Sequence, residues 1–378
     1  MKAIKLTLFG FLISIASWAQ TVTISGLNTT AISVTGNEKI PISGPGDPAT
    51  TINNLASWVT GYVVIPVTYN SGVNQASIIQ AAHDAATAGQ TLCMLGLGVV
   101  KVETQITWTK DDVHLVTGWG TDVHTTSNIA MFVFSGADRI MIKGGIFSGN
   151  NTGAAQIGLS FLNCSGIRVY EITVTGFNLA AIRVNGGSNA APYERNLFLG
   201  VNAFDNNGIC YDTLATGEYV LFEACAAWNT VAGTGTGWKL ASGNISLVGC
   251  YGTNLNSAFT TATGTNNGHS TIGNSIFNHN TNLVTISGID NTGTNPLSLV
   301  FNGCEFFAGA FTVNSDLIFF NTCQISVTTI TNNGNNINYS DCRIHGLQGT
   351  PPPTVNGTGT GTDVFDNCKD NLGNAFTG

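Results

Sequence analysis

A short unit recurs along this chain from near Val113 to the last residues, about once every twenty-five residues. Its form is apolar, any, apolar, any, any, small or Cys, any, apolar. Ile245, Leu247 and Cys250 mark one clear copy. Leu299, Phe301 and Cys304 mark a second, Ile318, Phe320 and Cys323 a third, and Ile337, Tyr339 and Cys342 a fourth. Val113, Ile140, Ile167, Leu197, Val220 and Ser270 open weaker copies. Cys225, Cys250, Cys304, Cys323, Cys342 and Cys368 all take the same slot.

A period of this length means a solenoid or an array, because one unit alone cannot bury its apolar face. Within a copy, the alternation at positions one and three is a strand signal, the Gly or Asn that follows is a turn signal, and the Cys begins a second strand. No copy carries a helical period. The chain is therefore expected to be all-β and to wind about ten coils, each strand pairing in parallel with its equivalent one coil on.

The N-terminus reads differently. Lys2 and Lys5 precede an apolar run from Leu6 to Ile15, and small residues lie just before Gln20. Residues 1–19 thus have the form of a signal peptide, too short to span a bilayer. No later run is long enough for a membrane helix, so no membrane insertion of the mature chain is expected. Charged residues make up only 9% of the chain, and losing Lys2 and Lys5 with no acids takes the net charge from −8 to −10. That balance excludes nucleic acid and anionic membranes as natural partners.

Residues 20–68 read as a small module: strand from Thr21 to Val34, loop from Pro41 to Pro48, and a short amphipathic helix from Thr50 to Val59. The stretch from Thr35 to Leu55, with Glu38, Ile40, Pro41 and Ile52, resembles a module common near the N-termini of phage tail fibres and tail spikes. An ordinary capping segment reads equally well. Next, Ile78, Ile79, Ala82, Ala85 and Ala86 lie at helical spacing within Gln75 to Ala88, and Gly89 stops the helix. Short strands follow from Thr91, Val99, Ile106 and Val113. A helix here would cover the open end of the first coil.

This alanine-rich helix ending in Ala88, Gly89 and Gln90, followed by a strand, a Gly-containing turn and a rung closing on Thr117 and Gly118, resembles the opening of the pectate-lyase-like superfamily. With the repeats, the resemblance covers roughly residues 69 to 370. It implies a right-handed, single-stranded parallel β-helix over residues 69–378 with an N-terminal capping helix and, loosely, a carbohydrate ligand. Fold alone does not carry function.

The six aligned cysteines read as stacked thiols pointing into the core, where Cys packs as a small hydrophobe. Occasional bridges between neighbours are the alternative, since export permits disulfides. Zinc ligands must converge on a point, and this column does not. Cys93, Cys164 and Cys210 lie outside it. Asn302, Asn321 and Ser340 form a second column whose amides can bond along the stack, which makes them structural.

Chemistry is sought on the outward positions of the earlier coils. Lys143, Arg168, Tyr170 and Glu223 are expected on or beside the first strand, and Glu171, Asp205, Asp212 and Glu218 at turns. Glycoside hydrolysis needs two carboxyl groups across the bond. Asp205 and Glu223, on neighbouring coils, are the candidate catalytic pair, and solvated surface acids are the alternative. A lyase would need acids to hold calcium and a Lys or Arg base, for which Arg168, Lys143 and Glu171 are the near cluster. Calcium enters only with that reading; otherwise the residues call for no metal and no cofactor. Gly268 and His269 resemble a Gly-His-Gly segment of the polygalacturonase family, but Leu247, Val248 and Gly249 stand where that family places its aspartates. His269 therefore reads as a turn residue.

Trp228, Trp238, Tyr211 and Tyr251 cluster between residues 205 and 255. Exposed rings stack on the apolar faces of sugars, so this cluster, with Arg168 and Lys143, is the expected substrate-binding site. The competing reading is that both tryptophans cover a loop from Ala232 to Gly237. Later, Pro351, Pro352 and Pro353 interrupt the ladder, and Phe365 and Cys368 return as one more partial coil.

Three function classes remain. The first is an exported or virion-displayed protein of tail-spike type that binds, and in one version cleaves, a bacterial surface polysaccharide. The second is a secreted pectate-lyase-like lyase or hydrolase, and the third a non-catalytic adhesin or structural protein. The tail-spike resemblance implies a homotrimer, although no segment demands one.

Overall fold

The computed structural model describes residues 61–186, 195–214, 216–217, 219–262, 269–287, 299–348, 350–358 and 363–378, together with four two-residue strands before them. The chain divides into two compact units, 1–64 and 65–378. In the first, Thr21–Val22 pairs antiparallel with Ile32–Ser33, and Lys39–Ile40 with Thr50–Thr51. Thr50–Thr51 is thus a strand where the sequence suggested that a helix begins. The rest of that helix, the signal peptide and most of the tail-fibre-like segment lie outside the described residues. Among the described residues no helix is long and apolar enough to cross a membrane.

The second unit is a right-handed parallel β-solenoid of about eleven turns. Each turn gives one strand to each of three parallel sheets. Sheet A runs from Thr91–Met94 to Val364–Asp366 and contains the first strand of every sequence repeat. Sheet B runs from Gly98–Lys101 to Arg343–His345, and sheet C from Ile106–Trp108 to Thr354–Asn356.

The repeat explains the coil. Positions one and three point inward, so the third position builds a core column one coil tall per residue. Phe301, Phe320, Tyr339 and Phe365 stack in that column with centroids 4.8, 5.0 and 4.7 Å apart. The residue before each aligned cysteine has a left-handed backbone, with φ from 50° at Ala224 and Thr322 to 62° at Gly303. That single conformation swings the chain from sheet A to sheet B and drops the next side chain into the core. Gly249 takes it without cost, whereas Ala224 and Thr322 sustain roughly 1–2 kcal/mol of strain that the surrounding ladder offsets.

The cysteine column is as the sequence suggests. All nine cysteines are buried and unbridged. Thiols of the column lie against carbonyls of the preceding coil, Cys225 on Phe198 O at 3.2 Å, Cys342 on Phe320 O at 3.2 Å and Cys368 on Tyr339 O at 3.3 Å. Burial pushes the Cys93 and Cys210 thiols up to about 12 and Cys164 up to about 11. The amide column also forms, Asn321 Nδ2 donating to Asn302 Oδ1 at 3.0 Å.

The N-terminal end is covered by the helix Ala76–Ala85, which is shorter than its sequence pattern because Ala86 is already extended. Its buried face holds Ala76, Ile79 and His83, and the His83 ring meets the core ring of Trp108 at 4.7 Å. At the far end Phe376 packs edge-on against Phe365 at 5.3 Å.

Candidate functional site: a recess on the outer face of sheet B

Each sheet B strand from Asn202–Phe204 to Glu305–Phe307 puts its central residue in the core and its two flanking residues outward. In the middle coils the outward pairs are Asn202 with Phe204, Ala226 with Trp228, Tyr251 with Thr253, Ile276 with Asn278, and Glu305 with Phe307, in register from coil to coil. Phe204 and Trp228 stack at 4.8 Å and 11°. Trp228 Nε1 donates to Asn202 Oδ1 at 2.9 Å, which fixes the indole in that pose.

One indole face is covered by Phe204. Over the other, the next residue in the column is Thr253, too small to cover it, and then Asn278. Phe307 closes the column three coils beyond Trp228, about 14 Å along the axis at about 4.8 Å per coil. Tyr251 and Ile276 flank the gap on the same strands and are 39% and 38% exposed. The result is a recess with a short polar floor, aromatic ends and an apolar side wall. His279, at the corner after Asn278, meets Phe307 edge-on at 5.2 Å.

Of the expected substrate-binding residues, Trp228 and Tyr251 come together here. Tyr211 and Trp238 do not. Both are fully buried on the inner face of sheet C, stacked on each other at 5.1 Å and 11°. The Tyr211 hydroxyl lies 2.8 and 2.9 Å from the carbonyls of Val201 and Ala226. These rings fill the coil interior and cannot reach a glycan. The expected loop from Ala232 to Gly237 is largely strand, since Thr234–Leu240 belongs to sheet C. Arg168 and Lys143 lie on the outer face of sheet A, round a corner from the recess. Arg168 is held by the carbonyls of Arg195 and Ile167, and Lys143 Nζ is 3.9 Å from Glu171.

Asp205 and Glu223 sit at opposite corners of sheet B. Asp205 has φ 50° at the corner leading to sheet C, and its Oδ1 accepts from Thr230 N at 2.6 Å and Thr230 Oγ1 at 2.8 Å. Glu223 ends a sheet A strand. The strand Ala226–Trp228 with its turn residues separates the corners by about 15 Å of chain. A glycosidase pair sets its carboxyl groups across one bond, whereas these two stand at the two ends of sheet B and Asp205 is already engaged by Thr230. Asp205 is thus at a turn as expected, whereas Asp212 is not. It lies buried in sheet C, bonded to Arg183 at 2.8 Å. Glu218 lies outside the described residues. His269 occupies a turn, with φ 60°.

An arrangement suited to proton transfer was missed from sequence. On the same outer face, Ser148 Oγ lies 2.6 Å from Asp122 Oδ1 and 2.8 Å from His124 Nδ1. The serine has one proton, which goes to the carboxylate. His124 must therefore donate from Nδ1, leaving Nε2 bare in the neutral ring. Lys101 adjoins His124 in register. Among the described residues no three His, Cys, Asp or Glu side chains are grouped to hold a metal ion. The missed recess residues had a signal: the first and third residues after the aligned slot face outward, which singles out Ile276 and Phe307 just as it does Tyr251 and Trp228.

Solved structures share this architecture. ORF18 of Geobacillus virus E2 superimposes with a TM-score of 0.53 at 17% identity, over 84% of this chain and 62% of that protein. The chain thus spans about three fifths of that viral protein. The tailspike protein of E. coli bacteriophage HK620, in complex with a pentasaccharide, gives 0.57 at 11% identity, over 85% and 69%. A family 28 exopolygalacturonase of Yersinia enterocolitica gives 0.47 at 11% identity, over 80% and 78%. No protein-family model and no curated protein sequence matches the chain. What the viral protein and the tailspike share with this chain is the fold, a parallel β-solenoid.

Proposed function

We propose that this protein is an exported or virion-displayed β-helix of tail-spike type that binds a bacterial surface polysaccharide in the sheet B recess. The observation that carries this reading is the uncovered face of Trp228, held rigid by Phe204 and Asn202 and bordered by Tyr251. A fixed, half-open aromatic face beside hydroxyl and amide groups suits the apolar face and hydroxyls of a sugar. The test is retention of the full-length protein in gels containing bacterial polysaccharides. Retention that Trp228→Ala abolishes supports the reading; retention indifferent to that change contradicts it.

A second reading adds chemistry. It is favoured by the chain from Asp122 through Ser148 to His124, which presents a bare imidazole nitrogen as a general base on the face that carries the recess. Release of reducing ends, unsaturated products or acyl groups by the wild type, lost in His124→Asn, supports it. A homotrimer would find its contact surface on the outer face of sheet A, where one column holds half-buried Leu197 and Leu221 and, beyond Ser246 and Thr271, Val300 and Phe319. Sedimentation of the purified protein reads that assembly directly.

A further inference from the structure

We infer that the glycan in the recess is uncharged and lies along the helix axis, an inference that rests on the binding reading above. The direction follows from the shape. Thr253 and Asn278 occupy one column between Trp228 and Phe307, so the depression is elongated from coil to coil and is walled sideways by Tyr251 and Ile276. A chain laid across the strands would meet that wall.

The charge class follows from what surrounds it. Among the described residues no Lys or Arg faces outward from sheet B between Thr173 and Gln324. The charged groups at the borders are acidic: Glu223 at the sheet A corner, Asp205 at the sheet C corner, and Glu305 beside Phe307. A uronate or phosphate in the recess would lose water, gain no cation and face carboxylates on both flanks. A cationic sugar fares no better on the floor, where Thr253, Asn278 and the rings offer no carboxylate. His279 at the rim meets the recess ring of Phe307 edge-on. Rings, a threonine methyl and an isoleucine favour sugars with an unbroken C–H face, and the hydroxyl and amide complete their hydrogen bonds.

The experiment compares retention of the full-length protein in gels cast with neutral polysaccharides and with uronate- or phosphate-containing ones, at low and high salt. Thr253→Trp is run beside it. That change fills the recess from an outward position and leaves the core intact, which far-UV circular dichroism verifies. The expected result is retention by a neutral polysaccharide, altered less than about twofold by salt and weakened at least about tenfold by Thr253→Trp. Retention only by acidic polysaccharides, relieved by salt, overturns the charge class while leaving glycan binding in place. Neutral binding untouched by Thr253→Trp overturns the location. Retention by no polysaccharide of either class overturns the binding reading and this inference with it.

Discussion

The indole of Trp228 lies on the ring of Phe204 one coil below, with centroids 4.8 Å apart and planes 11° from parallel. The stack uses up one face of the indole and leaves the other over Thr253. A ladder fold makes such half-open stacks wherever a large ring is followed in its column by a small residue. The solenoid supplies rigidity, and the outward sequence of each coil decides where a ligand can rest.

The two neighbouring tryptophans should separate binding from stability. Trp228→Ala is expected to cost about 1 kcal/mol of stability or less and to weaken glycan retention at least about tenfold. Trp238, fully buried, is the opposite case. Trp238→Ala is expected to lower stability by about 3–5 kcal/mol. Equal effects of the two changes on chemical denaturation would contradict the assignment of faces.

The thiol column should be silent in the native protein. Each of the nine cysteines is buried and unbridged, and burial raises Cys225 within the column as it does Cys93, Cys164 and Cys210 outside it. A thiol reagent should therefore titrate essentially none of them natively, and all nine in denaturant without reductant. Fewer under denaturing conditions would reveal bridges.

The helical cap should be acid-sensitive. His83 Nε2 accepts from Thr109 N at 3.2 Å, and Nδ1 faces Asp84 at 3.0 Å. Burial holds its pKa below the ordinary 6.5, with Asp84 opposing. The unfolded chain therefore takes up this proton at higher pH than the folded one. The His83 contribution is complete above 6.5 and is lost as pH falls from there through the lower folded value. Melting temperature should drop between about pH 7.5 and 5.5 in the wild type more than in His83→Gln. Parallel curves would remove His83 as the cause.

Any glycan-directed chemistry should follow His124 and not the two acids at the corners. Asp205→Asn and Glu223→Gln are expected to leave turnover within about twofold, whereas His124→Asn should lower it by roughly 10²–10⁴. The nitrogen shifts of the His124 ring give a second readout, with Nδ1 protonated and Nε2 bare in the neutral ring. Ser148→Ala should release that preference.

The coil was legible because its period repeats in the sequence, down to the aligned cysteines and the Asn302 and Asn321 pair. Half of the site was legible for the same reason. Trp228 and Tyr251 follow the slot by fixed offsets, so their outward direction is written in the repeat. Trp238 and Tyr211 were misplaced because sheet C opens with two consecutive inward residues, Ala181 with Ile182 in one coil and Cys210 with Tyr211 in the next. That doubling breaks the strand alternation, and nothing in the residue types announces it. Asp205 and Glu223 looked adjacent because neighbouring coils are close along the axis, but their corners are separated around the coil. The bond from Ser148 to Asp122 and His124 spans a whole turn of chain and has no local pattern.

On the proposed reading a glycan lies over Thr253 and Asn278 between Trp228 and Phe307. A crystal structure of the full-length protein with an oligosaccharide of the polysaccharide that retains it tests this most directly. Sugar density is expected in that recess, with one ring against the uncovered face of Trp228 and the chain running along the helix axis. Sugar bound instead on the outer face of sheet A or sheet C, with the recess empty, would contradict it.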